Sequence, residues 1–218
     1  MRTVTTATQQ VLAVLQAGSL PPEAQAFVLT IFAGEVGDKA TDPWTCEFGY
    51  TYYTGSLATF PNASSSPPWT GKLIPGKPGW ISTALGIGQI LYPTWEIWSK
   101  LPGAPSPATF EPPSQCALVW LGGADQYHKV TGRSLLADLQ AGTSMWGNVQ
   151  TALLPTWPGG AAKFSAHYPS YLAMVKAAPA PPPAPAEPII FAYLVTQAGS
   201  IINEGTISIP LPITGSGA

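Results

Sequence analysis

Residues 177–188 read AAPAPPPAPAEP, six prolines in twelve positions. Proline fixes φ and carries no N–H, so the run favours a stiff extended polyproline rod and excludes both a helix and a central strand. The chain is therefore expected to divide into a domain of residues 1–176, a Pro/Ala-rich linker over 177–188 and a tail over 189–218. The first part has an ordinary size for one domain. The tail, IIFAYLVTQAGSIINEGTISIPLPITGSGA, is rich in β-branched residues punctuated by turn formers, but thirty residues are too few to bury a core. Its apolar content argues against a merely disordered end. It is expected to be strands or extended chain completed by another surface, a partner protein or its own copies.

Charge removes whole classes of function. Nine Lys and Arg stand against eleven Asp and Glu, a net charge of −2 with no basic block to neutralise a row of phosphates, so nucleic acid is excluded as a partner. Apolar residues make up 45% of the chain and eight are Trp, enough for a packed core, while 25 Pro and 22 Gly foretell long loops around it. No apolar stretch approaches the ~20 residues that span a bilayer, and Val11 to Leu15 is too short for a secretory core, so neither a transmembrane span nor a signal peptide is expected. Cys46 and Cys116 match no metal-ligand spacing. They read as two buried free thiols in preference to a bridge, which would close a long loop and stabilise by up to about 4 kcal/mol. His128 and His167 lack a ligand cluster, no Gly-x-Ser-x-Gly elbow occurs, and no cofactor or metal is expected.

Along the first domain, Val11, Leu12, Val14 and Leu15 recur at helical spacing and predict a helix over Thr5–Ala17 that Gly18 ends. Pro21, Pro22 and Glu23 open a second, strongly buried helix through Phe27, Val28, Leu29, Ile31 and Phe32. Alternation around Tyr50, Tyr52 and Phe60, with a turn at Thr54, Gly55 and Ser56, predicts a β-hairpin. Further helices are predicted at about 94–100, 114–129, 132–141 and 161–176. The expected class is α+β, mainly helical with one small β-hairpin lobe.

Most of the few carboxylates have a local explanation: Glu23 in a helix first turn, Glu96 after a Thr94 cap, Asp138 on the polar side of a helix, and Glu111, Glu187 and Glu204 in loops or the tail. Glu35 does not. It ends the apolar helix FVLTIFAGE, where the dipole disfavours an anion and apolar neighbours strip away water; both effects raise its pKa. A carboxylic acid kept protonated near neutral pH is what a general acid requires; the alternative is a half-exposed Glu at a helix C-terminus. Downstream, Ser82, Thr83, Gly86, Gly88 and Gln89 form a small-residue loop. Its glycines would let backbone approach a bulky ligand, and the Gln89 amide suits hydroxyl and N-acetyl groups of a sugar; alone, the loop reads as a tight turn. Tyr50, Tyr52, Tyr53, Trp69, Trp80, Trp95 and Trp98 could stack on pyranose faces, although each singly suits a core as well.

Taken in order, a helix ending Ala33-Gly34-Glu35, an aromatic hairpin, then Ser82-Thr83-(x)2-Gly86-(x)2-Gln89 leading into a Trp-containing helix resembles the lambda-type phage endolysins of the lysozyme-like superfamily. Gly86-Ile87-Gly88-Gln89-Ile90 followed by Pro93-Thr94 is also similar to the Gly-x-x-Gln-Ile signature of soluble lytic transglycosylases. The likeness covers residues 10–175, with weaker echoes at Ser114-Gln115 and over 148–160, and leaves out linker and tail.

The resemblance implies a lysozyme-like fold that cleaves the β-1,4 bond between N-acetylmuramic acid and N-acetylglucosamine in peptidoglycan glycan strands. Glu35 would act as acid and then base, with Ser82, Thr83, Gly86, Gln89, Tyr53 and Trp95 binding substrate. The family's hairpin usually reads Phe-Thr-Asp, where this chain has Leu57, Ala58, Thr59, Phe60, Pro61 and Asn62, so the obvious second carboxylate is missing. Asp38, Asp42 and Glu47 lie near in sequence but read as surface loop acids. Without a second group, the substrate's own N-acetyl or C6 hydroxyl would serve as nucleophile, giving anhydromuropeptides; with one, hydrolysis follows. A virion component, or an enzyme reaching the host periplasm through a lesion opened by another protein, fits the missing leader, and the tail would then engage a virion or tail protein or itself. The rival expectation is a catalytically inactive virion or wall-binding module on the same scaffold.

Overall fold

A computed structural model describes residues 6–54, 56–58, 72–73, 81–105, 109–177, 190–195 and 201–207. The chain forms two compact units, Met1–Pro179 and Ala180–Ala218.

In the first unit, helices α1 (Thr6–Ala17) and α2 (Pro22–Glu35) are followed by a short 3-10 turn over Gly37–Lys39. The strands β1 (Cys46–Glu47) and β2 (Thr51–Tyr52) form one antiparallel pair and β3 (Lys72–Leu73) and β4 (Ile81–Ser82) another. Helices α3 (Tyr92–Trp98), α4 (Pro112–Thr131), α5 (Leu135–Ala141), α6 (Trp146–Leu153) and α7 (Pro158–Ala177) complete it. This is a mainly helical α+β arrangement with small antiparallel sheets. Proline stands in the first turn of α2, α3, α4 and α7, where its missing N–H costs nothing and its fixed φ starts the helix. No helix among the described residues is long and apolar enough to cross a membrane.

Helix α2 is the centre of the core. Every residue from Ala24 to Phe32 is buried, the polar Gln25 and Thr30 among them donating to the carbonyls of Leu20 and Ala26, and Phe27 contacts the rings of Trp120, Trp157 and Phe164. Burying one such ring contributes about 1.5–3 kcal/mol. The closest partner of α2 is α7, and glycine sets that closeness: a Cβ on Gly34 would lie 2.3 Å from the Cα of Gly160. The end of α2 therefore touches the first turn of α7 backbone to backbone.

Four expectations need correction. The hairpin turns at Phe48–Tyr50, earlier than Thr54–Ser56, because Gly49 takes φ 79° and Tyr50 φ 60°, pairing Cys46 with Tyr52 and Glu47 with Thr51; Gly55 and Phe60 lie outside the described residues. Helix α6 was not expected, since Gly147 and a span of only eight residues mask its period. Helix α3 starts ahead of Thr94, with Leu91 as N-cap and no side-chain cap bond. Asp138 is not solvated: it is 2% exposed, taking two hydrogen bonds from Arg133 and one from the Tyr127 hydroxyl. Cys46 and Cys116 are both buried and unbridged, and burial pushes their thiols up to about 11 and about 12.

In the second unit, β5 (Ile190–Val195) and β6 (Ile201–Ile207) form an antiparallel pair with an irregularity between Tyr193 and Val195. The linker prolines 179–188 lie outside the described residues.

Candidate active site

Glu35 ends α2 and its side chain crosses to the start of α7, where the Gly160 N–H donates to Oε1 at 2.9 Å. The first-turn N–H groups of a helix have no partner within it, so the carboxyl takes up one of them. Only glycines permit this. A Cβ on Gly159 would stand 2.4 Å from the Gly34 carbonyl oxygen, and one on Gly160 would strike Ile31 at 2.8 Å. Burial raises the Glu35 carboxyl above its ordinary value; the Gly160 and Gly159 N–H groups and Lys163 pull the other way without cancelling it.

Glu35 lines a cavity of about 330 Å³ with Cys46, Glu47, Phe48, Gly49, Tyr50 and Gln89. Gln89 also walls a second cavity of about 310 Å³ toward Thr94, Trp98 and Trp157, and Tyr50 walls a third of about 390 Å³ toward Lys39, Lys163 and His167. The Glu35 cavity thus adjoins each of the other two through one shared residue. Among the described residues, the two non-glycine positions with positive φ are Tyr50 (60°) and Gln89 (44°), the two that join neighbouring cavities. Left-handed backbone at a non-glycine residue costs about 1–3 kcal/mol and persists only where surroundings enforce it. At Gln89 the enforcement is visible: its Nε2 donates to the carbonyls of Cys46 (3.0 Å) and Gly86 (3.1 Å). That leaves Oε1 without a hydrogen bond among the described residues, available as an acceptor.

The loop carrying Gln89 is held from below by Gln115, which is wholly buried on α4. Its Oε1 accepts the Ile87 N–H at 3.0 Å, and its Nε2 donates to the carbonyls of Trp44 (2.9 Å) and Phe110 (2.8 Å). From above, the Gly86 N–H donates to the Cys46 carbonyl at 2.9 Å, and Leu85 bridges to Glu47 of β1. Gln115 is a positioning residue; in the sequence it was only a weak echo beside Ser114.

The expected site is brought together in part. Glu35 and Gln89 share the central cavity, whereas Ser82, Thr83, Gly86, Tyr53 and Trp95 are not among its lining residues. The Ser82 hydroxyl accepts the Ala84 N–H and the Thr83 hydroxyl the Tyr92 N–H, so both shape the loop. Trp95 and Trp98 belong to the core at 8% and 6% exposure. Tyr53 is half-buried beside β1, its N–H on the Thr45 carbonyl. Trp69 and Trp80 lie outside the described residues. The loop glycines make room for the protein itself: a Cβ on Gly86 would lie 2.1 Å from Gln115 Oε1, and one on Gly88 2.6 Å from Val119. What approaches their backbone is the chain's own α4, not a ligand.

Glu47 corrects another expectation. It is 7% exposed and lines the cavity that Glu35 lines, its Oε2 accepting the Thr51 hydroxyl at 3.3 Å. No surface loop acid behaves so; the earlier turn at Phe48–Tyr50 is what draws it inward. Asp42 is a local turn former, accepting the Trp44 N–H and the Thr45 hydroxyl. Of Asp38 only the backbone is described.

A half-buried acid held above its usual pKa, a buried carboxyl group and a side-chain carbonyl acceptor line one cavity, an arrangement suited to acid–base work on a polar substrate. Comparison of the chain with family models, with curated proteins and with solved structures finds no match.

Proposed function

We propose that the protein is a muralytic glycosidase of phage type on a lysozyme-like scaffold, acting on the bond between N-acetylmuramic acid and N-acetylglucosamine with Glu35 as the acid. One observation carries the reading: a carboxyl kept up by burial lines a cavity that adjoins two others through two left-handed non-glycine residues, Tyr50 and Gln89. Adjoining cavities suit successive sugars of a strand, and the acid is needed at the bond between two of them. Glu35 gives its proton to the glycosidic oxygen as the bond to the muramic C1 breaks, and positive charge develops at that carbon. The muramic C6 hydroxyl then closes on C1 and returns its proton to Glu35, leaving a 1,6-anhydro end and an N-acetylglucosamine with a free C4 hydroxyl. The raised carboxyl favours the protonated state that begins this cycle.

A second route has its own support in Glu47, whose buried carboxylate borders the same cavity. In that route water attacks C1, its proton passes to a carboxylate, and the product is a hydrolysed reducing end. Digestion of Gram-negative sacculi followed by mass spectrometry separates the two, since the anhydro product is lighter by one water. Anhydro products that Glu47→Gln leaves in place support the first route. Hydrolysed products whose release Glu47→Gln abolishes support the second. Intact sacculi after exposure to the wild-type chain overturn the enzymatic reading and leave an inactive wall-binding module. The Pro-rich linker and β-rich tail fit assembly on a virion or tail protein or with further copies, and the site of action would be the virion or the host periplasm.

A further inference from the structure

The third cavity, about 390 Å³, differs from the other two in its charge. Lys163, His167 and Tyr171 stand on α7 at steps of four, so one face of that helix presents all three to the cavity. Lys39 comes from the opposite wall, its Nζ 5.6 Å from the centre of the Tyr50 ring. Neither Lys39 nor Lys163 takes part in the ion pairs of Lys129 with Asp125, Arg133 with Asp138 or Lys176 with Glu23. Two lysines thus meet in one cavity of a chain that has only nine Lys and Arg and a negative net charge. Tyr50 divides this cavity from that of Glu35, and Lys163 acts electrostatically on Glu35 itself. An anionic group bound there would sit one step from the reacting bond.

Resting on the glycosidase reading, we propose that this cavity is a subsite for the carboxylate-bearing peptide branch of the glycan, with Lys39 and Lys163 as its charge partners. A peptidoglycan strand is uncharged along its sugars, and its carboxylates are on the peptides that leave the muramic lactyl group. A cationic cavity beside the acid therefore reads the branch, not the backbone. His167 and Tyr171 complete its wall with ring stacking at 6.3 Å.

The test uses the full chain and two soluble substrates: glycan strands freed of cross-links by an endopeptidase and retaining their peptides with free carboxylates, and the same strands with those peptide carboxyl groups capped as methyl amides. The readout is the ratio of kcat/KM on strands with free carboxylates to that on capped strands. Both lysines are exposed and such charge pairs are weak, so the wild-type ratio is expected at about fivefold, falling about threefold in Lys39→Gln and again in Lys163→Gln, and shrinking in added salt. A wild-type ratio near one, or an unchanged ratio in both variants, overturns the subsite. Should the wild type cleave neither substrate, the glycosidase reading fails, and calorimetric binding of the same two strands decides the subsite separately. Preference for strands with free peptide carboxylates that Lys39→Gln removes sustains it, and equal binding of free and capped strands overturns it.

Discussion

Replacing Gln115 by Met keeps the volume of a wholly buried side chain but removes its hydrogen bonds with the Ile87 N–H and the carbonyls of Trp44 and Phe110. A lost buried hydrogen bond of this kind costs about 1–3 kcal/mol, and three together are expected to cost at least about 3 kcal/mol. In a unit of this size each kcal/mol moves Tm by about 2–4 °C, which gives a fall of at least about 6 °C. Thermal unfolding followed by circular dichroism measures it. The companion variant is Gln126→Met, whose Nε2 reaches the Ala152 carbonyl only at 3.5 Å; its loss is expected below about 1 kcal/mol. A Gln115→Met chain that melts within about 3 °C of wild type would refute the claim that this amide clamps the loop bearing Gln89. The clamp has a further signature in Gly86, where a Cβ would sit 2.1 Å from Gln115 Oε1. Gly86→Ala is expected to cost less in a Gln115→Ala background than alone, because the clash with the amide is then gone and only the strain at φ 73° and the 3.0 Å approach to the Phe110 ring remain.

Gly34→Ala places a Cβ 2.3 Å from the Gly160 Cα, forcing α2 and α7 apart at a loss of about 2 kcal/mol or more; denaturant unfolding checks it, and a neutral result contradicts the close approach. The Arg133 guanidinium and the Tyr127 hydroxyl hold the Asp138 carboxyl down at about 2. Its contribution is therefore present above the unfolded carboxylate value of about 3.9 and lost as pH falls through the folded one; Asp138→Asn should flatten the acid-unfolding curve in that window, and an unaltered curve would contradict the pairing. Burial holds Cys46 at about 11, so a disulfide reagent at pH about 8 is expected to titrate no thiol in the native chain and two in guanidinium. Rapid native labelling contradicts that burial.

How much of this could be read from residues alone depended on whether the signal was local. Helix α2 announced itself, because an unbroken apolar run after Pro22 and Glu23 has few other places to go. Glu35 stood out for a related reason: a carboxylate closing such a run has no local partner, and its partner, the Gly160 N–H, lies 125 positions away. What could not be read was the turn. Gly49 and Gly55 are equally good turn formers in isolation, and the choice falls to Gly49 because the pairing of Cys46 with Tyr52 places Glu47 against Leu85. That six-residue difference carried Glu47 from an apparent surface loop into the cavity. The glycines of the Gln89 loop were legible as sites of close approach, but nothing in the sequence said that the approaching group would be Gln115. The burial of Asp138 has no local signal, since its partner Arg133 precedes the helix and Tyr127 belongs to another one.

The most direct measurement is the release of soluble muropeptides from sacculi by Glu35→Gln beside wild type, with melting curves of both. Glutamine retains a carbonyl oxygen to accept the Gly160 N–H but has no proton to give to a leaving oxygen. Release is expected to fall at least about a hundredfold with Tm unchanged. Release within about threefold of wild type would remove Glu35 from the chemistry and the catalytic reading with it.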